Sequence, residues 1–196
     1  MSRVATYVLC AAIIATLFGG QGGSFQPARL ILAIGLPLVL ILSPAPKRLA
    51  PIARHALITA AVMILLGGLS LSWTTDILGG VGLLLAVCVG AIALYISTRS
   101  DLSISGVRLL MSTWVAVVGL SMPMAFYEIV TGIHSEFAFD DRVIGSIGEF
   151  PFASIYFGNY NDYSAWLCLG LPITMAAFFE AKSLYYKLTI AAINVA

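Results

Sequence analysis

Charged residues cut this chain into long uncharged, apolar runs: 4–28, 30–46, 55–75, 77–98, 109–127 and 163–179, followed by a shorter one at 188–196. A helix needs about 20 mostly apolar residues to cross a hydrocarbon core of about 30 Å. The first six runs meet that requirement and predict helices over 4–18, 30–42, 55–71, 77–96, 107–127 and 163–179. Pro37, Pro123 and Pro172 fall inside three of them. Neighbouring helices of a bundle tolerate such kinks. The nine residues of the last run rise only about 13.5 Å as a helix. The expected fold is therefore all-α: a polytopic transmembrane helical bundle of six full spans plus a truncated seventh. It forms a single transmembrane domain over 1–196, expected to be the N-terminal part of a longer protein. The other reading of the last run is a short interfacial helix from Tyr185 onward.

Composition points the same way. Only 10% of the residues are charged and 60% are hydrophobic, whereas a soluble domain carries about a quarter charged. The same figures exclude a disordered chain. A net charge of +1 offers no basic face to nucleic acid. Cys10, Cys88 and Cys168 each fall inside a different span and read as small, buried packing residues. The N-terminal run reads as a retained first helix, because the glycine-rich stretch after it makes a poor cleavage site.

Charge bias orients the bundle. With the N-terminus in the cytoplasm, the inner segments hold Arg3, Lys47, Arg48, Arg54, Arg99, Arg108, Lys182 and Lys187, and the outer segments only Arg29 and Arg142. Such an excess of cations marks the cytoplasmic side. Tyr7, Tyr95, Tyr185 and Tyr186 then mark the inner membrane interface, and Trp73, Tyr127, Tyr163 and Trp166 the outer one. One connection differs from the rest: residues 128–162 form a 35-residue extracytoplasmic loop with six acids and one arginine. Loops of that length are usually functional or disordered. Its Phe150-Pro151-Phe152 and Ile155-Tyr156-Phe157 clusters predict that it folds back onto the outer face of the bundle.

Several constellations have a plain reading beside a chemical one. Gly82, Ala86 and Gly90 recur every four residues and predict close helix–helix packing. The glycines at 19, 20, 22 and 23 lack the lysine of a phosphate-cradling loop and read as a turn. His55 and His134 have no companions at ligand spacing, so no metal site is expected. Asn159, Asn161 and Asp162 precede the sixth predicted helix. They suit an N-cap, and they equally suit polar groups facing an anionic or sugar-bearing substrate at the outer surface. Arg142, the single cation of the acidic loop, pairs with Asp140 or Asp141 in one reading and clamps a diphosphate in the other. No Asp, Glu, Lys or Arg stands at a span centre, where ion-coupled transporters usually place one.

The segments Phe126-Tyr127-Glu128-Ile129-Val130-Thr131-Gly132, Arg142 to Gly145, Phe157-Gly158-Asn159-Tyr160-Asn161-Asp162-Tyr163 through Leu169-Gly170-Leu171-Pro172, and Leu69-Ser70-Leu71-Ser72-Trp73 resemble the O-antigen ligase and polymerase family. The resemblance covers the N-terminal half of a typical member. It implies a polytopic, GT-C-like glycosyltransferase fold in a bacterial cytoplasmic membrane. It also implies transfer of glycan from an undecaprenyl-diphosphate carrier to a glycan or lipid acceptor at the outer leaflet, without metal or nucleotide-sugar cofactor. By the same resemblance Arg142 contacts the diphosphate, and Asn159 and Asn161 match the two asparagines of an Asn-Pro-Asn element, with Tyr160 in the proline slot. The family's catalytic histidine lies in a later outer loop, so no catalytic residue is expected within these 196 residues and the chain alone is expected to be inactive. The implied partners are the lipid-linked glycan, its acceptor and membrane lipid, not nucleic acid. Alternative readings are a transporter or flippase subunit and a non-catalytic membrane fragment.

Overall fold

The computed structural model describes residues 3–18, 27–44, 49–131 and 160–195. They are helical, with no strand among them. In chain order the helices are α1 (Arg3–Ala15), continued by a 3-10 turn at Thr16–Phe18, α2 (Pro27–Leu42), α3 (Pro51–Ser70), α4 (Ile77–Arg99), α5 (Ile104–Thr131), α6 (Tyr160–Glu180) and α7 (Leu184–Val195). Four segments are long and apolar enough to cross a membrane: Pro51–Ser70, Ile77–Arg99, Ile104–Thr131 and Tyr163–Glu180. The first two apolar helices, Arg3–Phe18 and Pro27–Leu42, are shorter, each about 25 Å long at the helical rise.

The helices begin and end where backbone chemistry allows, beyond the limits that charge alone suggests. Proline opens both α2 and α3; its fixed φ suits the first helical position and its missing N–H is not needed there. Asp76 N-caps α4, its carboxylate accepting from Gly79 N–H at 2.9 Å. α4 runs on through Arg99, and α5 extends from Ile104 to Thr131 rather than over 107–127. α6 starts at Tyr160, one turn before the predicted start, so Asn161 and Asp162 lie in its first turn. Pro37, Pro123 and Pro172 all sit inside helices.

The described residues fall into two compact units. One comprises Met1–Ala11 with Arg29–Gly106, the other Ala12–Ala28 with Val107–Ala196. In the first unit, α1 and α2 touch at Gly35, where an added Cβ would overlap Val8 Cγ1. Arg99, 8% exposed, donates from Nη1 to the Ser43 carbonyl at 2.8 Å and from Nη2 to Tyr95 Oη. Its guanidinium also lies 4.9 Å from the centre of the Tyr95 ring. Arg99, one of the cations that the sequence assigns to the inner segments, is thus a buried one. The backbone N–H of Asp101 donates to Thr6 Oγ1 at 2.9 Å and so ties the α4–α5 turn to α1.

α3 has no buried residue. Leu65, Leu66 and Leu69 are each more than 60% exposed, on a helix that is apolar all round. Such a surface is stable against lipid and not against water. The glycine stripe of α4 does not form the close contact expected of it: Cβ atoms added at Gly82 or Gly90 would meet nothing within 4 Å among the described residues. Cys10 is buried and Cys88 half-buried, but Cys168 is exposed, because α6 turns that face away from its neighbours.

In the second unit, Val117, Val118 and Ala125 of α5 pack with Tyr163 and Trp166 of α6. At the other end Val115 packs with Ala177, Ala181 and Ile190, which joins α5, α6 and α7. A short turn at 181–183 separates α6 from α7, and Ala181 N–H closes the end of α6 on the Ala177 carbonyl at 3.0 Å.

Candidate functional site

Residues on either side of the 128–162 segment meet inside the second unit. Tyr163 and Trp166 are three residues apart on α6, which puts both on one face, and that face packs against α5. They are 3% and 7% exposed, because their rings fill the space between helices.

Two hydroxyls embedded in apolar sequence satisfy the polar ends of these rings. Ser121 Oγ donates to the Val118 carbonyl at 2.7 Å and stands 3.2 Å from Tyr163 Oη. A serine hydroxyl has one proton. With that proton committed to the carbonyl, Tyr163 donates to Ser121. Trp166 Nε1 donates to Thr16 Oγ1 at 3.1 Å, and Thr16 donates to the Ile13 carbonyl at 2.6 Å. Each aromatic donor thus ends, through one hydroxyl, on a helix carbonyl. Trp166 also packs between rings, with centroid distances of 5.7 Å to Trp114 and 6.0 Å to Tyr163. These separations fall in the range of favourable aromatic pairs.

Glu128 lies seven residues beyond Ser121 on α5, two turns along the same face. It is 4% exposed and close enough for its charge to act on the Tyr163 phenol. The cluster therefore joins the start of the long segment, at Glu128, to the first residues after its end, at Tyr163. Among the described residues no group of His, Cys, Asp or Glu could hold a metal. The cluster's contribution is to hold the two ends of the segment at one place.

Of the residues singled out from sequence, Arg142, Asn159 and His134 lie outside the described residues. Asn161 and Asp162 occupy the second and third positions of α6. An acid there lies within the first turn, where negative charge complements the helix dipole, rather than at the cap. His55 is exposed in the second turn of α3. Sequence reasoning did not single out Ser121, Thr16, Tyr163 or Trp166 as a network. The available signal was hydroxyl residues inside apolar runs, and most of those bond only to their own helix, as Thr113 does to the Leu109 carbonyl.

No family model, curated protein or solved structure matches this chain.

Proposed function

We propose that this chain handles an undecaprenyl-diphosphate-linked oligosaccharide at the outer face of a bacterial cytoplasmic membrane, as part of a glycan ligase or polymerase of the glycosyltransferase type. In this reading the first two shorter helices and the four longer ones all cross the bilayer. The N-terminus is cytoplasmic, and the 128–162 segment lies outside. The observation that carries the reading is the packing of the end of α5 on the start of α6, with Glu128 on the first and Tyr163 on the second both buried. These residues belong to the two segments that resemble the ligase and polymerase family, and they bracket the segment that carries Arg142.

The chemistry follows from charge. Glycan transfer leaves negative charge on the departing lipid diphosphate, and a guanidinium offers a permanent, forked pair of donors to its oxygens. Arg142 fills that role. In this reading the start of α6 and the polar residues Asn159, Asn161 and Asp162 supply hydrogen-bonding groups to the sugar and the diphosphate.

The test is Arg142→Ala introduced at the gene's own locus, with surface polysaccharide resolved on gels. The expected result is loss of surface glycan with unchanged abundance in the membrane fraction, and partial recovery in Arg142→Lys, which keeps the charge and loses the fork. Normal glycan length and amount in Arg142→Ala overturns the assignment. A periplasm-active reporter inserted at Asp140 is expected to be active, and a silent reporter at that position overturns the orientation.

A further inference from the structure

The second unit carries, away from the Glu128–Tyr163 cluster, a hollow with two chemically different ends. Between α5 and α7 lies a groove of about 950 Å³ lined by Val115, Gly119, Leu120, Pro123, Phe126 and Tyr186, among others. Continuous with it, through the shared Ser112 and Tyr186, is a smaller hollow of about 340 Å³ lined by Arg108, Lys182 and Glu180. The Ser112 and Tyr186 hydroxyls stand 3.5 Å apart where the two meet. The long part is apolar, with Leu120 and Phe126 each more than 60% exposed. The short part has two cations and one acid, and among the described residues neither Arg108 nor Lys182 forms an ion pair.

From Ser112 to Phe126 the helix rises about 21 Å, against about 15 Å for one leaflet's share of the hydrocarbon core. The groove thus has the length of one lipid tail with its glycerol end. Its charged end has a net positive charge, which selects a headgroup of net negative charge over a zwitterionic one. We propose that this groove holds an anionic glycerophospholipid, its acyl chain along 115–126 and its phosphate between Arg108 and Lys182. The Ser112 and Tyr186 hydroxyls then face the ester region. The site's charged end lies at the end of α5 opposite Glu128. It depends on the helices crossing a bilayer and not on the glycan reading.

The experiment uses the full chain purified in detergent, exchanged into equimolar phosphatidylglycerol and phosphatidylcholine, and weighed by native mass spectrometry. The expected result is preferential retention of one phosphatidylglycerol. Each cation near a lipid headgroup strengthens binding about five-fold, so Arg108→Gln with Lys182→Gln weakens phosphatidylglycerol retention about thirty-fold. Arg108→Lys with Lys182→Arg retains it, and circular dichroism checks that both variants keep their helices. Equal retention of the two lipids, or undiminished phosphatidylglycerol in the double glutamine variant, overturns the proposal. So does a lipid-free dimer whose interface is lost on Leu120→Gln, because a second copy then fills the groove.

Discussion

The contact between α1 and α2 allows a sharp test, because one missing atom sets it. Gly35 is buried, and a Cβ built there overlaps Val8 Cγ1, lies 3.3 Å from Cγ2 and 3.4 Å from Val8 Cβ. Gly35→Ala therefore forces the two helices apart or drives Val8 from its rotamer, an overpacking cost of about 1–3 kcal/mol. Val8→Ala removes both γ-methyls. Lipid tails are as apolar as valine, so that change loses packing rather than a transfer term and costs about 1 kcal/mol. In the double variant the methyl introduced at position 35 meets only the residue-8 Cβ at ordinary contact distance. Adding Gly35→Ala to Val8→Ala is thus nearly free, and the two changes are coupled by about 1–3 kcal/mol. Unfolding in mixed micelles by rising dodecyl sulfate, followed by far-ultraviolet circular dichroism, measures all four corners of the cycle. A harmless Gly35→Ala, or a double variant as destabilised as the sum of the singles, refutes the close approach.

Two further outcomes follow from individual hydrogen bonds. Thr16→Val removes the acceptor of the Trp166 Nε1 hydrogen bond, at a cost of about 1–3 kcal/mol; the same unfolding assay reads it, and a change below about 0.5 kcal/mol would falsify the bond. Asp101 is held below its ordinary carboxyl value by the Ser103 N–H, then by the Ser103 hydroxyl, with a smaller contribution from Arg3. A depressed folded value means that its contribution is complete above 3.8 and fades as pH falls through the lower folded value. Asp101→Asn is therefore expected to lower stability at neutral pH and to match the parent once pH is below that lower value. An equal deficit at both pH values refutes the Ser103 bond as its source.

How much of this was legible in sequence depends on what kind of force fixed each feature. Helix existence was legible because lipid excludes charge, so the spacing of 19 charged residues outlines the apolar segments. Helix ends were less so. Charge marks where oil stops, whereas the hydrogen-bond ladder stops at a cap, and caps such as Asp76 or an opening proline act locally. That difference carries α4 through Arg99 and α5 to Thr131. The burial of Arg99 was not legible because an exposed cation and a buried one look alike in sequence. Only the four-residue spacing of Tyr95 and Arg99 suggested that ring and guanidinium meet. The packing of Tyr163 and Trp166 was hidden for a related reason: a ring with one polar atom suits a wet interface, and suits a helix interface equally once Ser121 and Thr16 supply acceptors. The glycine stripe of α4 has the chemistry of a close-packing face, but among the described residues no helix lies against it.

The unequal lengths of the helices have a mechanical consequence. The 28-residue α5 is a rod of about 42 Å, while the oily slab is about 30 Å deep. Stood upright, it overhangs by about 12 Å, and sharing this between its ends lifts about one turn at each into the layer of phosphates and water. α2, with 16 residues, reaches only about 24 Å, so it would cross such a slab only where the lipid thins around it. Where α5 crosses a bilayer, a carboxylate near the tip of the longer rod would thus leave the hydrocarbon by geometry alone, and Glu128 could be enclosed by protein without standing in oil.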